Sequence, residues 1–295
     1  MDAAFQQLMQ LLLNGIAVGC IYAIMAISVQ LAYETTGVVN FATGQLVMIG
    51  AVVGASFALS GRLGVGEIYV MTLASMVAIG LVFAVTVYWP LQSRSISTVV
   101  IGTIAVGIFL QNIALIFFGP LPAKGFSPVG DSVLNILGVV VPAHTLFASA
   151  ATFILIGGLY CLLHYTSIGI QMRAIAQDVE VARLMGIRTT LVLAFTWALT
   201  WVFAGIGGLL LAPLWLVDVD VGDSVALKAF AAAIIGGFGS IPGAIVGGLL
   251  VGLNETLSAA YISTKYKDVL VFGLMIAFLL FKPRGIFGES VNERG

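Results

Sequence analysis

A chain of 295 residues that is only 8% charged and 60% hydrophobic is no water-soluble globule. An interior of that size has no room for so much apolar surface. The net charge of −1 argues against nucleic acid as a partner. The apolar runs are long and do not alternate, which sets aside a β-barrel and leaves helices in lipid, where each backbone N–H and C=O must be bonded within the protein.

The expected fold is all-α and polytopic, with about eight to ten transmembrane or re-entrant helices, because a hydrocarbon core about 30 Å thick takes roughly 20 helical residues per crossing. In chain order the runs predict segments over 9–31, 41–59, 67–89, 97–118, 145–164, 190–212, 225–240, 243–262 and 267–281. Two of these, 41–59 and 225–240, are short or glycine-rich and also read as broken or re-entrant helices. The sequence opens Met-Asp-Ala-Ala-Phe-Gln-Gln without a basic stretch, so no cleaved signal peptide is expected. Cys20 and Cys161 fall in apolar runs, where a thiol packs as a small apolar group; neither a disulfide nor a metal site is expected.

Basic residues in short connections set the expected orientation. Arg94 in the 90–96 turn, Arg173, Arg183 and Arg188 in the 165–189 connection, and Lys282, Arg284 and Arg294 after the last run assign those stretches to the cytoplasm. The 119–143 connection carries Pro120, Pro122, Pro128 and Pro142 with one Lys and one Asp, and falls outside. So does the 213–224 loop, which carries Asp218, Asp220 and Asp223 and no base. Nine crossings then put the N-terminus outside; one re-entrant segment would move it inside.

Residues 37–55 and 236–252 form a faint internal repeat. Each begins as a polar, glycine-broken stretch near a Phe and continues into a glycine-spaced helix. Transporters carry such interrupted segments in their two halves, here about 1–143 and 144–295, with the pathway between them. Glycines four apart (Gly50 and Gly54, Gly243 and Gly247, Gly248 and Gly252) predict close helix approach.

Polar residues inside apolar runs face a partner helix or a path. Asn40, Thr43, Gln45, Gln111, Asn112 and Asn254 are candidates for a translocation path; the simpler role for the first three is hydrogen bonding that repairs a broken helix. Lys228 and Glu255 are a candidate intramembrane ion pair, the alternative being that each snorkels or faces a neighbouring helix alone. Asp-x-Asp-x-x-Asp at 218–223 reads as a solvated acidic loop, since it lacks the glycine turn and bidentate Glu of a calcium loop. His144 and His164 flank one segment as ordinary interfacial residues. No nucleophile–base constellation is present, so no catalytic residue and no cofactor are expected.

The 167–188 stretch is the one long cytoplasmic connection and reads as a helix over about 168–187. Ala174, Asp178, Ala182 and Gly186 fall at i, i+4 spacing on one face, Glu180 and Arg183 at i, i+3, and Gly186 is a natural stop. A short helix with a small-residue stripe, lying along the membrane, is shaped for a groove on another protein.

This stretch resembles the coupling helix of the permease subunits of bacterial ABC importers for branched-chain amino acids. Arg173, Ala174, Asp178, Ala182, Gly186 and Ile187 match the family's pattern of an Arg-Ala pair, an acidic residue, Ala and a closing Gly-Ile. Asn40-Phe41-Ala42-Thr43-Gly44, Gly236-Gly237-Phe238-Gly239-Ser240-Ile241-Pro242-Gly243-Ala244 and Lys282-Pro283-Arg284-Gly285-Ile286-Phe287-Gly288 are similar to three further family elements, in order and at the family's spacings. Lys282 stands where the family more often has Arg. Within the family the chain is similar to the shorter of two permease types.

The resemblance implies a multi-pass protein of the bacterial inner membrane and a division of labour. A second permease subunit, different more often than identical, pairs with this one. Two ATP-binding subunits dock on the coupling helices, with Arg173, Ala174, Asp178, Ala182, Arg183, Gly186 and Ile187 as the contact set. A substrate-binding protein docks outside, where Asp218, Asp220 and Asp223 can meet its basic residues. That protein holds the affinity, so the path itself should be apolar and weakly selective. The sequence has no phosphate-binding loop, which agrees with ATP hydrolysis in a partner and with this chain being no enzyme. The substrate class covers leucine-like amino acids, with urea, short amides and aromatic acids in related systems. The alternative is a stand-alone carrier or channel. It would need midplane carboxylates, for which Glu255 is the one candidate.

Overall fold

The computed structural model describes residues 3–119, 123–136 and 139–288; Pro120, Pro122 and Arg294 lie outside the described residues. The protein is a helical bundle with two small antiparallel β pairings. Its elements are α1 (Ala3–Thr36), α2 (Thr43–Leu59), α3 (Val65–Leu91), α4 (Ile96–Phe118), β1 (Ala123–Lys124), β2 (Val133–Ile136) and β3 (Val139–Pro142). They continue with α5 (Ala143–Tyr165), α6 (Ser167–Gln177), α7 (Val179–Leu184), α8 (Thr189–Leu211), β4 (Leu216–Val217), α9 (Val221–Gly236), α10 (Ile241–Tyr261) and α11 (Lys267–Phe281). Helices α1, α3, α4, α5, α8 and α10 are long and apolar enough to cross a membrane, and the protein is a polytopic membrane protein.

Local sequence explains several boundaries. α3 widens into a π-turn at Ala84–Tyr88, just before Pro90. Pro90 has no N–H to give and its ring crowds the preceding turn, and the wider turn relieves both. Ser95 caps α4 by accepting from the Thr98 N–H, and Ser240 caps α10 by accepting from the Gly243 N–H. Between α9 and α10, Gly237 and Gly239 adopt φ of 103° and 82°, which a side chain would resist.

In lipid, helices associate through close packing rather than through the hydrophobic effect. α1 and α10 cross where Gly248 and Gly252 lie against the backbones of Ala23 and Gly19. α2 and α8 cross where Gly50 meets Gly205 and Gly208 meets Val47. Behind that crossing, Trp197 and Trp201 of α8 are buried against Phe83 of α3, at ring-centroid distances of 4.8 and 5.8 Å.

The bundle has two distinct ends. At one, Gln10 of α1 donates to the Val140 carbonyl of the β2–β3 hairpin, and Leu59, Phe118 and Val217 come together. At the other, Tyr33 to Gly37 lie beside Arg173 to Val179 and Phe238. Residues after α11 close over this end: the Ile286 and Phe287 N–H groups bond the Ile235 and Gly236 carbonyls.

Two crossings are broken. After α1 the chain turns back without helix over 37–42 and becomes helical at Thr43. There the Phe41 N–H bonds Thr103 and Gln45 lies beside Gly107, halfway along α4. After α8 the chain again returns as an irregular stretch, and α9 starts at Val221. α2 and α9 thus begin head to head in mid-bundle, with Gly44 against Gly222, and run to opposite ends.

Two expectations need correction. The segment placed at 225–240 is helical over Val221–Gly236, because the glycine turn at 237–239 ends it early. Residues 236–252 open as a turn through Gly237, Phe238 and Gly239, capped by Ser240, and continue into α10. The 167–188 helix is two helices. Asp178 is extended (φ −162°, ψ 112°) and its carboxylate caps α7, so Ala174 and Ala182 do not share one continuous helical face. The β2–β3 hairpin was not expected.

Candidate functional site

The meeting of α2 and α9 opens onto a cavity of about 540 Å³. It is built from the residues upward. Asn40 turns the chain into α2: its side-chain oxygen accepts from the Ala42 N–H, and its own carbonyl accepts from the Thr43 hydroxyl. Those bonds replace the helical ones a broken segment gives up. They leave Phe41 facing the cavity, stacked on Phe230 at 4.9 Å and 22°.

On α9, Asp220 stands at the N-cap and Asp223 in the first turn, where the helix dipole favours a carboxylate. Both are bonded across the cavity mouth. Gln45 Nε2 donates to Asp223 Oδ1 at 2.6 Å, and Gln111 Nε2 donates to Asp220 Oδ1 at 3.0 Å and to the Val219 carbonyl at 3.2 Å. Gln45 is itself buried, and its Oε1 has no hydrogen-bond partner. The rest of the wall is apolar, with Ile104 and Ile108 from α4 and Phe272 and Met275 from α11.

The structure therefore sorts the candidate path residues. Gln45 and Gln111 line the cavity. Asn40 and Thr43 shape the turn beneath it. Asn112 bonds the Ile108 carbonyl of its own helix and is exposed on another face. Asn254 accepts from Ser258 within α10. Neither Asn112 nor Asn254 lines the cavity, because helical rotation carries each away from it. Asp223, read from sequence as part of a solvated loop, is a helical residue in the cavity wall. Asp220 and Asp223, standing just before and just inside an apolar run as a helix N-terminus prefers, were the available signal.

Lys228 and Glu255 are brought together on the far side of α9. Lys228 Nζ lies 2.7 Å from Glu255 Oε1 and 3.0 Å from Asp268 Oδ1, and Lys267 Nζ lies 2.7 Å from Glu255 Oε1. Tyr22 donates to Glu255 Oε2 at 2.6 Å, and Trp215 lies under both ammonium groups at 5.3 and 5.5 Å. Two positive and two negative groups thus neutralise one another where α1, α9, α10 and α11 meet. Lys228 and Glu255 are almost wholly buried.

At the bundle end that carries Arg173, the α6–α7 elbow faces outward. Met172, Ile175 and Ala182 are buried against the bundle, while Arg173, Asp178, Arg183 and Gly186 are exposed and Ala174 and Ile187 are half-buried. Leu184 and Met185 stand 86% and 80% exposed. Glu180 and Arg183 form no ion pair among the described residues. Next to the elbow lies an open groove of about 660 Å³, lined by Tyr33, Glu34, Arg173, Asp178 and Phe238.

Residues 11–279 match the family model described as the permease component of the branched-chain amino acid transport system. The chain is 33% identical over 301 residues to the high-affinity branched-chain amino acid transport system permease protein BraD of Pseudomonas aeruginosa, covering 97% of each. It is 33% identical over 311 residues to the corresponding protein LivH of Escherichia coli (strain K12), covering 100% of each. The probable branched-chain amino acid transport permease protein LivH of Methanocaldococcus jannaschii is 30% identical over 286 residues, covering 90% of this chain and 88% of that one.

Proposed function

This chain belongs to the branched-chain amino acid transport permease family, and we propose that it forms part of the path of an ABC importer for branched-chain amino acids or related small solutes. The observation that carries the reading is the cavity between the head-to-head helices α2 and α9. Two broken helices meeting in mid-bundle are how membrane transporters place polar groups at the centre of the bilayer. The whole chain acts as one permease domain.

The α6–α7 elbow is the handle through which separate ATP-binding subunits drive the bundle between outward and inward states. Its outward-facing Leu184 and Met185, beside an open groove, supply an apolar anchor of the kind a partner buries. This end faces the cytoplasm, as the concentration of Arg173, Arg183, Arg188, Lys282 and Arg284 argues. The β2–β3 hairpin then faces outward, towards a substrate-binding protein. A second permease subunit completes the path, and the membrane is the bacterial inner membrane.

Two measurements test this. Deleting the gene should abolish binding-protein-dependent uptake of L-leucine in its host. Replacing Leu184 and Met185 with Asp should leave the chain in the membrane but remove the ATP-binding subunits from the purified complex. Persistence of both activities would refute the assignment. A stand-alone carrier would use Asp223 as its ion site, since Glu255 is already held by two lysines; uptake driven by an ion gradient without ATP would favour it.

A further inference from the structure

We infer that the inner gate of the path is a row of four aromatic rings, Phe41, Phe230, Phe238 and Tyr33, and that Gln30 is the positioning residue that holds the row shut. The inference deepens the importer reading and rests on its assignment of the α2–α9 cavity to the path.

Three observations carry it. First, two hollows end on this row. The cavity of about 540 Å³ between α2 and α9 is walled by Phe41 and Phe230. The groove of about 660 Å³ beside the α6–α7 elbow is walled by Tyr33 and Phe238. Among the described residues none lines both. The rings stand in file, centroid to centroid: Phe41 to Phe230 at 4.9 Å, Phe230 to Phe238 at 6.4 Å and Phe238 to Tyr33 at 5.0 Å. A solute that leaves the cavity for the groove must part them. Apolar constrictions of this kind also exclude water and ions by dewetting.

Second, Phe238 sits where the backbone can turn. α9 ends at Gly236 and α10 starts at Ile241. Between them Phe238 is flanked by Gly237 and Gly239, at φ of 103° and 82°. Loop residues between two rigid helices are where a moving gate absorbs its change of φ and ψ.

Third, one side chain fixes that turn from both sides. Gln30 of α1 is wholly buried. Its Nε2 donates to the Gly237 carbonyl at 2.9 Å, and its Oε1 accepts from the Gly239 N–H at 2.8 Å. A buried amide is costly unless it is bonded, and both bonds depend on the present setting of the turn. Swinging Phe238 out of the row breaks them, so Gln30 favours the closed state. Arg173 and Asp178 of the elbow line the same groove as Phe238, so a partner that presses on the elbow acts beside the turn.

The test uses the intact complex with its own partner subunits, in inverted membrane vesicles without nucleotide. Cys161, which is exposed, is replaced by Ser, and Ile108→Cys places a reporter thiol in the cavity wall. A membrane-impermeant methanethiosulfonate cation is added on the Arg173 side. With the row intact, labelling should be slow. Phe238→Ala should speed it about tenfold or more, because removing a packed ring takes more than roughly 1.4 kcal/mol from the closed state. Gln30→Met keeps the length of the side chain, removes both bonds and should act in the same direction. Phe238→Tyr, which keeps a ring, should label slowly. Retention of the ATP-binding subunits shows that a variant has assembled; if Phe238→Ala does not assemble, Gln30→Met decides alone. Fast labelling with the row intact, or slow labelling in an assembled Phe238→Ala or Gln30→Met variant, would overturn the inference. So would loss of assembly in both, which would mark the two residues as structural. Labelling needs no transport, so failure of the unaltered complex to import L-leucine would count against the importer reading and leave the gate to be decided by the labelling rates.

Discussion

Gly44 of α2 and Gly222 of α9 abut backbone to backbone. A Cβ built on Gly44 would collide with the Gly222 carbonyl and come within 2.6 Å of Ala226 Cβ. Both atoms belong to a helix with little freedom to shift. Gly44→Val should therefore separate the two helix starts, at the 1–3 kcal/mol or more that overpacking costs at about this scale. Thermal unfolding of the purified protein in detergent should show a lowered midpoint. Gly37, where nothing lies within 4 Å of an added Cβ, has φ of +67°, so Gly37→Asn, a residue that tolerates this conformation, should be nearly neutral.

The four charged groups around Glu255 predict a non-additive pattern. Glu255→Gln leaves Lys228 buried among α1, α9 and α10 with half its compensation gone, and breaking a buried pair from one side costs about 3–5 kcal/mol. Lys228→Met should cost a similar amount. The double variant Lys228→Met/Glu255→Gln leaves Lys267 and Asp268, which are equal and opposite, and should be more stable than the sum of the single changes implies. Membrane yield and unfolding midpoint of the three variants measure the coupling.

Gly107 gives Gln45 its space: a Cβ there would sit 3.1 Å from Gln45 Oε1. Gly107→Leu should press on the amide and narrow the cavity mouth. Uptake is expected to fall by about tenfold, equivalent to roughly 1.4 kcal/mol on the transport barrier. The protein should remain in the membrane at near-normal amounts. Uptake equal to wild type would mean that solute does not pass this point.

Asp178 holds the α6–α7 elbow together by accepting from the Glu180 and Val181 N–H groups at 2.9 and 3.0 Å. Asp178→Ala removes the cap and should cost about 1 kcal/mol, enough to fray a helix of six residues. The expected result is weaker coupling, with more ATP hydrolysed per solute moved. Asp178→Asn keeps an acceptor and should behave nearly as wild type. Equal coupling ratios in all three would assign no role to the elbow's shape.

The broad outline of the protein is local in origin and was legible as such. Each apolar run is long enough to announce a helix without knowledge of its neighbours, and the nine runs expected correspond to α1 to α5 and α8 to α11. Two short runs were singled out as candidates for interruption, because a run too short for the bilayer must be completed by something else; both proved to be broken crossings. Glycines four apart marked close crossings for the same reason: without a Cβ, neighbouring backbones can touch. Local pattern misled at 167–188, where i, i+4 spacing suggested one helix. The Asp178 side chain outcompetes the continuing helical hydrogen bonds and starts a second helix instead.

What the amino-acid order determined alone was the solvent, the class of fold and the places where the chain must turn, because hydropathy, glycine and proline act within a few residues of where they stand. Only the folded bundle decided which helix start meets which. The bond from Gln45 to Asp223 joins positions 178 apart, and the pair at Lys228 and Glu255 depends on how α9 and α10 rotate against each other. Hydropathy cannot register such meetings: in lipid, rotation and contact are set by the shapes of neighbouring helices, which no single segment carries.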